Sequence, residues 1–187
     1  MITAEQLIHG GASGGHTPAS LDQPLDHLVA CHRRIEQRLE TLQRVTPHLA
    51  TRREEALAAI ASSLEFFNSN GAWHTADEEQ SIFPRLEASL SPEERMYLAE
   101  LEAQHDEAEV LYDKLLLVVE QMKSAQPIPP ALIERYGTLV ADLAAIYRPH
   151  IASEDKVLTE LGRRLLSKTA LGEISAEMKR RRGLTAG

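Results

Sequence analysis

Four stretches of the chain repeat apolar residues at alternating spacings of three and four, and each interrupts its stripe with a histidine. This is the period of an α-helix with one buried face, because residues three and four apart stack above one another on the helix surface. The first stripe reads Leu28, His32, Ile35, Leu39, Leu42, and the second Leu57, Ile60, Leu64, Phe67, Gly71, His74, Glu78, Ile82. The third reads Leu98, Leu101, His105, Ala108, Tyr112, Leu115, Val119, Met122. The fourth reads Tyr136, Leu139, Leu143, Ile146, His150, Glu154, Val157, Leu161, Leu165. Such stripes leave water by packing on one another, which predicts an all-α fold: an up-down-up-down four-helix bundle over residues 21–166.

The punctuation agrees. Pro47 stops the first helix, "SPEER" at Ser91 to Arg95 offers a serine cap with proline in the first turn, and "SAQPIPP" connects the third helix to the fourth. "SNG" before His74 and Pro149 before His150 predict kinks just ahead of those histidines. Residues 1–20, with "HGGASGGHTPAS", are too rich in glycine for a regular element; they read as a flexible lead-in with His9 and His16 in solvent. Residues 167–187 read as a short helix and a basic tail, with "KRRRG" at Lys179 to Gly183 solvated.

A formal net charge of −8 argues against a surface made for nucleic acid or anionic lipid, both of which reward clustered Lys and Arg. No run approaches the ~20 apolar residues needed to cross a membrane. The single cysteine, Cys31, can form neither an internal disulfide nor a thiolate zinc site, which suits a reducing compartment. The expectation is a cytoplasmic protein with no nucleic-acid or membrane partner, and pairing as a homodimer is compatible with it.

Three of the four histidines are followed four residues later by a glutamate: His74 by Glu78, His105 by Glu109 and His150 by Glu154. Residues so spaced project from one helical face and can converge on one point in the bundle. Carboxylates buried together cost several kcal/mol each unless a strong positive charge sits among them. A pair of metal ions is the simplest neutraliser. A donor set of imidazole and carboxylate without sulfur suits iron or manganese, with zinc also compatible.

The segments "ACHRRIEQRL", "HTADEEQSIFPRL", "EAQHDEAEVL" and "YRPHIASEDKVL" resemble the hemerythrin-like family, also called the HHE cation-binding domain, over roughly residues 25–166. The resemblance implies a four-helix bundle with a non-haem centre of two iron ions. By its pattern His32 and His74 bind one iron, His105 and His150 the other, Glu78 and Glu154 bridge, and Glu109 is an added ligand beside His105. Oxygen-carrying hemerythrins place a histidine where this chain has Glu109, and take their second bridging carboxylate five residues after the last histidine, at Asp155 here. The HHE pattern uses the glutamate at four, and Glu154 lies on the stripe while Asp155 is rotated off it. The implied partner is a small diatomic or peroxide molecule such as oxygen or nitric oxide. The centre can serve binding, catalysis or the sensing of iron and redox state, and any electron donor is unspecified.

Two other readings account for parts of the pattern. His105 and Asp106 form the "HD" of metal-dependent phosphohydrolases, but Asp106 lies about 100° round the helix from His105 and the recurring glutamates go unused. A metal-free module that binds partners through "KRRRG" leaves the buried carboxylates uncompensated. Off the stripes, His27 and Cys31 read as polar-face residues, and Trp73 reads as a packing residue. Asp77 and Glu79 read as helix surface able to orient a ligand imidazole, and Tyr112 and Tyr147 as core-edge residues near the ligands.

Overall fold

The computed structural model describes residues 20–185, and among these every regular element is helical, with no strand. The lead-in containing His9 and His16 lies outside the described residues.

Helix α1, Pro24–Val45, starts on a proline and gives way to a 3₁₀ turn, Thr46–His48, where Pro47 forbids the next regular hydrogen bond. A second helical path then runs without leaving the helical region: α2, Arg53–Phe66, a π-turn Phe67–Gly71, α3, Ala72–Asp77, a second π-turn Glu78–Ile82, and α4, Phe83–Glu87. The widened turn at "FNSNG" stands where the weak helix formers predicted a kink.

Helix α5, Pro92–Ser124, begins with a complete capping box. The Glu94 amide donates to Ser91 Oγ at 3.2 Å, and the Ser91 amide donates to the Glu94 carboxylate at 2.8 Å. Helix α6, Pro130–Ser153, continues through Pro149 into a π-turn Glu154–Leu158 and then α7, Thr159–Leu165. The α5 and α6 helices pack along one another, and α1 lies against α2 and α6.

One element departs from expectation. Helix α8, Lys168–Arg181, is not followed by a solvated basic end; it packs on α1, α3 and the Glu78–Ile82 turn. Its Ile174 and Met178 are completely buried. His27 and Cys31 are also buried rather than on a wet face, because the α1 stripe is wider than its strict three-and-four path.

The apolar interior is in two blocks. One gathers Ile35, Leu39, Ile60, Leu115, Val119, Tyr136 and Leu143. The other gathers Leu28, Ile82, Leu86, Leu101, Leu158, Leu161, Ile174 and Met178. On α1, His32 falls between Leu28 and Ile35; on α5, His105 falls between Leu101 and Ala108. The same holds on the other two paths, so the histidines form a polar layer between the blocks.

Candidate metal centre

Each path delivers its histidine to that layer because the position lies in phase with the buried stripe. His32, His74 and His150 are buried, as are Glu78 and Glu154, while His105 is slightly more open. His32 Nε2 lies 3.1 Å from His74 Nε2, and His105 Nε2 lies 3.1 Å from His150 Nε2. Glu154 Oε2 stands 3.1 Å from both His32 Nε2 and His150 Nε2. Glu78 reaches three of these rings with its two oxygens: Oε1 is 3.4 Å from His74 Nε2 and 3.9 Å from His32 Nε2, and Oε2 is 3.5 Å from His105 Nε2. His32, His74, Glu78 and Glu154 thus offer one set of converging donor atoms, and His105, His150 and Glu154 a second.

The outward ring nitrogens fix the tautomers. His32 Nδ1 donates to Asp155 Oδ1 at 2.7 Å, His105 Nδ1 to Glu79 Oε1 at 2.8 Å, and His150 Nδ1 to Gln104 Oε1 at 2.8 Å. These oxygens only accept, so a neutral imidazole keeps a bare lone pair on Nε2, aimed inward. The bare lone pairs of His105 and His150, facing one another at 3.1 Å, repel unless a proton or a metal cation lies between them.

The carboxylates make the same demand. All four oxygens of Glu78 and Glu154 are buried without an aligned hydrogen bond, despite their closeness to the imidazoles. A buried, unsatisfied carboxylate is among the costliest groups a core can hold. In the metal-free chain, burial and the neighbouring Glu154 push the Glu78 carboxyl well above its usual range. Burial opposes ionisation of Glu154 as well, but contacts from His150 and His32 outweigh it and hold that carboxyl low. Burial disfavours a charged His32, yet Asp155, Glu154 and Glu78 together raise it to about 12. Burial, reinforced by the neighbouring imidazoles, pushes His74 well below its ordinary value. Without a metal, the surroundings thus favour the protonated forms of Glu78 and His32 and the deprotonated forms of Glu154 and His74.

Of the seven ligands expected from sequence, six meet here: His32, His74, Glu78, His105, His150 and Glu154. Glu109 is exposed on α5 and lines a neighbouring cleft of about 410 Å³, outside both donor groups. The cleft lies between the α2–α3 path and α5 and reaches His105, with Tyr147, Glu79, Thr75 and Asp106 along its walls. Asp106 is exposed there and does not join His105 in a donor group, which removes the geometry an HD-type phosphohydrolase needs. The Tyr112 hydroxyl is engaged elsewhere, its single proton shared between the Leu64 carbonyl and Asn68 Oδ1, each 3.0 Å away.

Glu79 accepts from the His105 imidazole, and Asp155 accepts from His32 while lying outside the donor groups. Gln104 was missed. A signal existed: each acceptor is the chain neighbour of a ligand on another path, with Asp155 beside Glu154, Glu79 beside Glu78 and Gln104 beside His105. Asp77 is not surface; it is fully buried and salt-bridged to Arg181 and Arg182, which no local pattern announces.

No helix among the described residues is long and apolar enough to cross a membrane. Among curated proteins no relative matches the chain. The family model of the hemerythrin HHE cation-binding domain matches residues 23–161, a span that contains all six converging side chains, and the chain belongs to that family.

Proposed function

We propose that this protein holds a non-haem centre of two iron ions that binds or reacts with a small molecule such as oxygen, nitric oxide or peroxide, or senses iron and redox state. In this reading α1, the α2–α4 path, α5 and the α6–α7 path are the four rods of an up-down-up-down bundle. His32 and His74 hold one ion, His105 and His150 the other, and Glu78 and Glu154 reach both. The observation that carries the proposal is the pair of facing imidazole couples, 3.1 Å apart at Nε2, with two carboxylates between them that find no hydrogen bond in the protein.

Bound iron would supply redox and ligand-binding chemistry. The chain supplies the rest. Asp155, Glu79 and Gln104 turn the ring nitrogens toward the centre, the two apolar blocks exclude water above and below, and the cleft beside His105 and Tyr147 offers the route by which a small molecule approaches. Glu79, Asp106, Glu109 and Asp113 line that route and, among the described residues, no Lys or Arg does, which favours neutral molecules and cations over anions.

Purified protein is expected to carry about two irons per chain and to absorb in the near ultraviolet by charge transfer to the metal. His74→Ala and Glu78→Ala should lose iron while Glu109→Ala keeps it, measured by metal analysis. Zinc or magnesium with phosphatase turnover would overturn the proposal, as would equal iron content in all three variants.

A further inference from the structure

His74 is the exception among the four imidazoles. His32, His105 and His150 are each turned by an acceptor at Nδ1, but His74 Nδ1 is buried without a hydrogen-bond partner. Its local helix gives little help, since α3 has six residues and sits between two π-turns, where the regular i to i−4 ladder is interrupted. Glu78 opens the second of those turns. The ligands of this path therefore lie on the least regular backbone in the layer.

The end of α8 grips this segment. Arg181 Nη1 donates to Asp77 Oδ1 at 2.6 Å, and Arg182 Nη2 donates to Asp77 Oδ2 at 2.7 Å. Arg181 also donates to Ser81 Oγ at 2.6 Å, so it links side chains on both sides of Glu78. The Arg182 guanidinium lies over the Trp73 ring, 5.3 Å from its centroid, immediately before His74. Asp77 has no exposed surface, and these two guanidiniums meet both of its carboxylate oxygens. Both arginines lie beyond residues 23–161, so the grip comes from chain outside the matched domain.

We infer that Arg181 and Arg182, acting through Asp77, Ser81 and Trp73, are positioning residues that hold His74 and Glu78 in place for the metal, doing for the α3 segment what the Nδ1 acceptors do for the other imidazoles. This rests on the metal-centre reading above. Losing an outer partner of a metal ligand typically weakens the site about 10- to 100-fold, which sets the scale of the expected effect.

The test uses the full chain carrying R181Q and R182Q together, with I174A as a control that loosens α8 packing without touching Asp77. Iron-loaded protein is mixed with a chelator, and the release rate and near-ultraviolet spectrum are recorded. Hydrogen exchange of residues 72–82 is measured in the metal-free protein. R181Q/R182Q should release iron roughly 10-fold faster than the parent, with an altered spectrum and faster exchange confined to that segment. I174A should match it in lost thermal stability but not in release. Wild-type release from R181Q/R182Q, or equal acceleration by I174A, overturns the inference. If the double variant misfolds, near-isosteric D77N must show the same direction of change or the inference falls. A parent chain that takes up no iron defeats the metal reading and this one together; iron uptake without the exchange contrast defeats this one alone.

Discussion

His32 is held from both ends, by Asp155 at Nδ1 and by Glu154 and His74 around Nε2, so changes at either end should differ in kind. Arg33 anchors Asp155 from outside. Asp155→Ala leaves every inward donor in place and should weaken iron binding roughly 10- to 100-fold in a competition titration, whereas Glu154→Ala should abolish it. Equal effects would show that Asp155 does not act through the imidazole. The metal-free protein should also reveal the protonated layer. His32 is raised to about 12, so its stabilising contribution is complete below its ordinary value near 6.5 and drains away as pH climbs toward 12. Glu78, shifted upward and favoured as the neutral acid, adds a loss of the same sign above its usual range. Thermal unfolding of the stripped protein should accordingly occur at lower temperature at pH 8.5 than at pH 6.5, and a rise would contradict the assignment. The convergence of the four histidines was readable because helical period places a residue relative to its own helix. The burial of Asp77 was not readable, since its partners are about a hundred residues away and only tertiary packing brings them near.

At the scale of elements, the helices begin and end where local chemistry says. The Ser91 capping box is the clearest instance, and Ser91→Ala should cost about 1 kcal/mol of stability by denaturant titration with the metal content unchanged. The π-turns were not foreseeable in the same way. A stripe spaced by three and four looks continuous through Gly71, Glu78 and Glu154, yet each π-turn inserts extra backbone and rotates the residues beyond it about the helix axis. Two of them begin at Glu78 and Glu154, the two carboxylates of the centre. Farther along, Gly162 on α7 meets α1 so closely that an added Cβ would stand 2.8 Å from Leu25 Cδ2. Gly162→Val should destabilise by about 1 to 3 kcal/mol through overpacking at that crossing, read from the unfolding midpoint.

Across the whole molecule, the division of the interior into two apolar blocks by a layer of imidazoles and carboxylates was implicit in the stripes, since every histidine had apolar residues on both sides. What the stripes could not disclose is that one block is finished by α8. Removing the metal should lower the thermal midpoint and broaden the calorimetric transition, because the layer then joins the blocks only through protons and mismatched contacts; an unchanged sharp transition would show that the blocks are coupled without it. The placement of Ile174 and Met178 bears on where this domain ends. The matched residues stop at 161, but those two side chains have no exposed surface, and each is worth about 2 to 5 kcal/mol when a core residue of that size is truncated. A version trimmed to the homologous span would therefore open a hole in its own hydrophobic floor, and the boundary of kinship in this chain falls short of the boundary of folding.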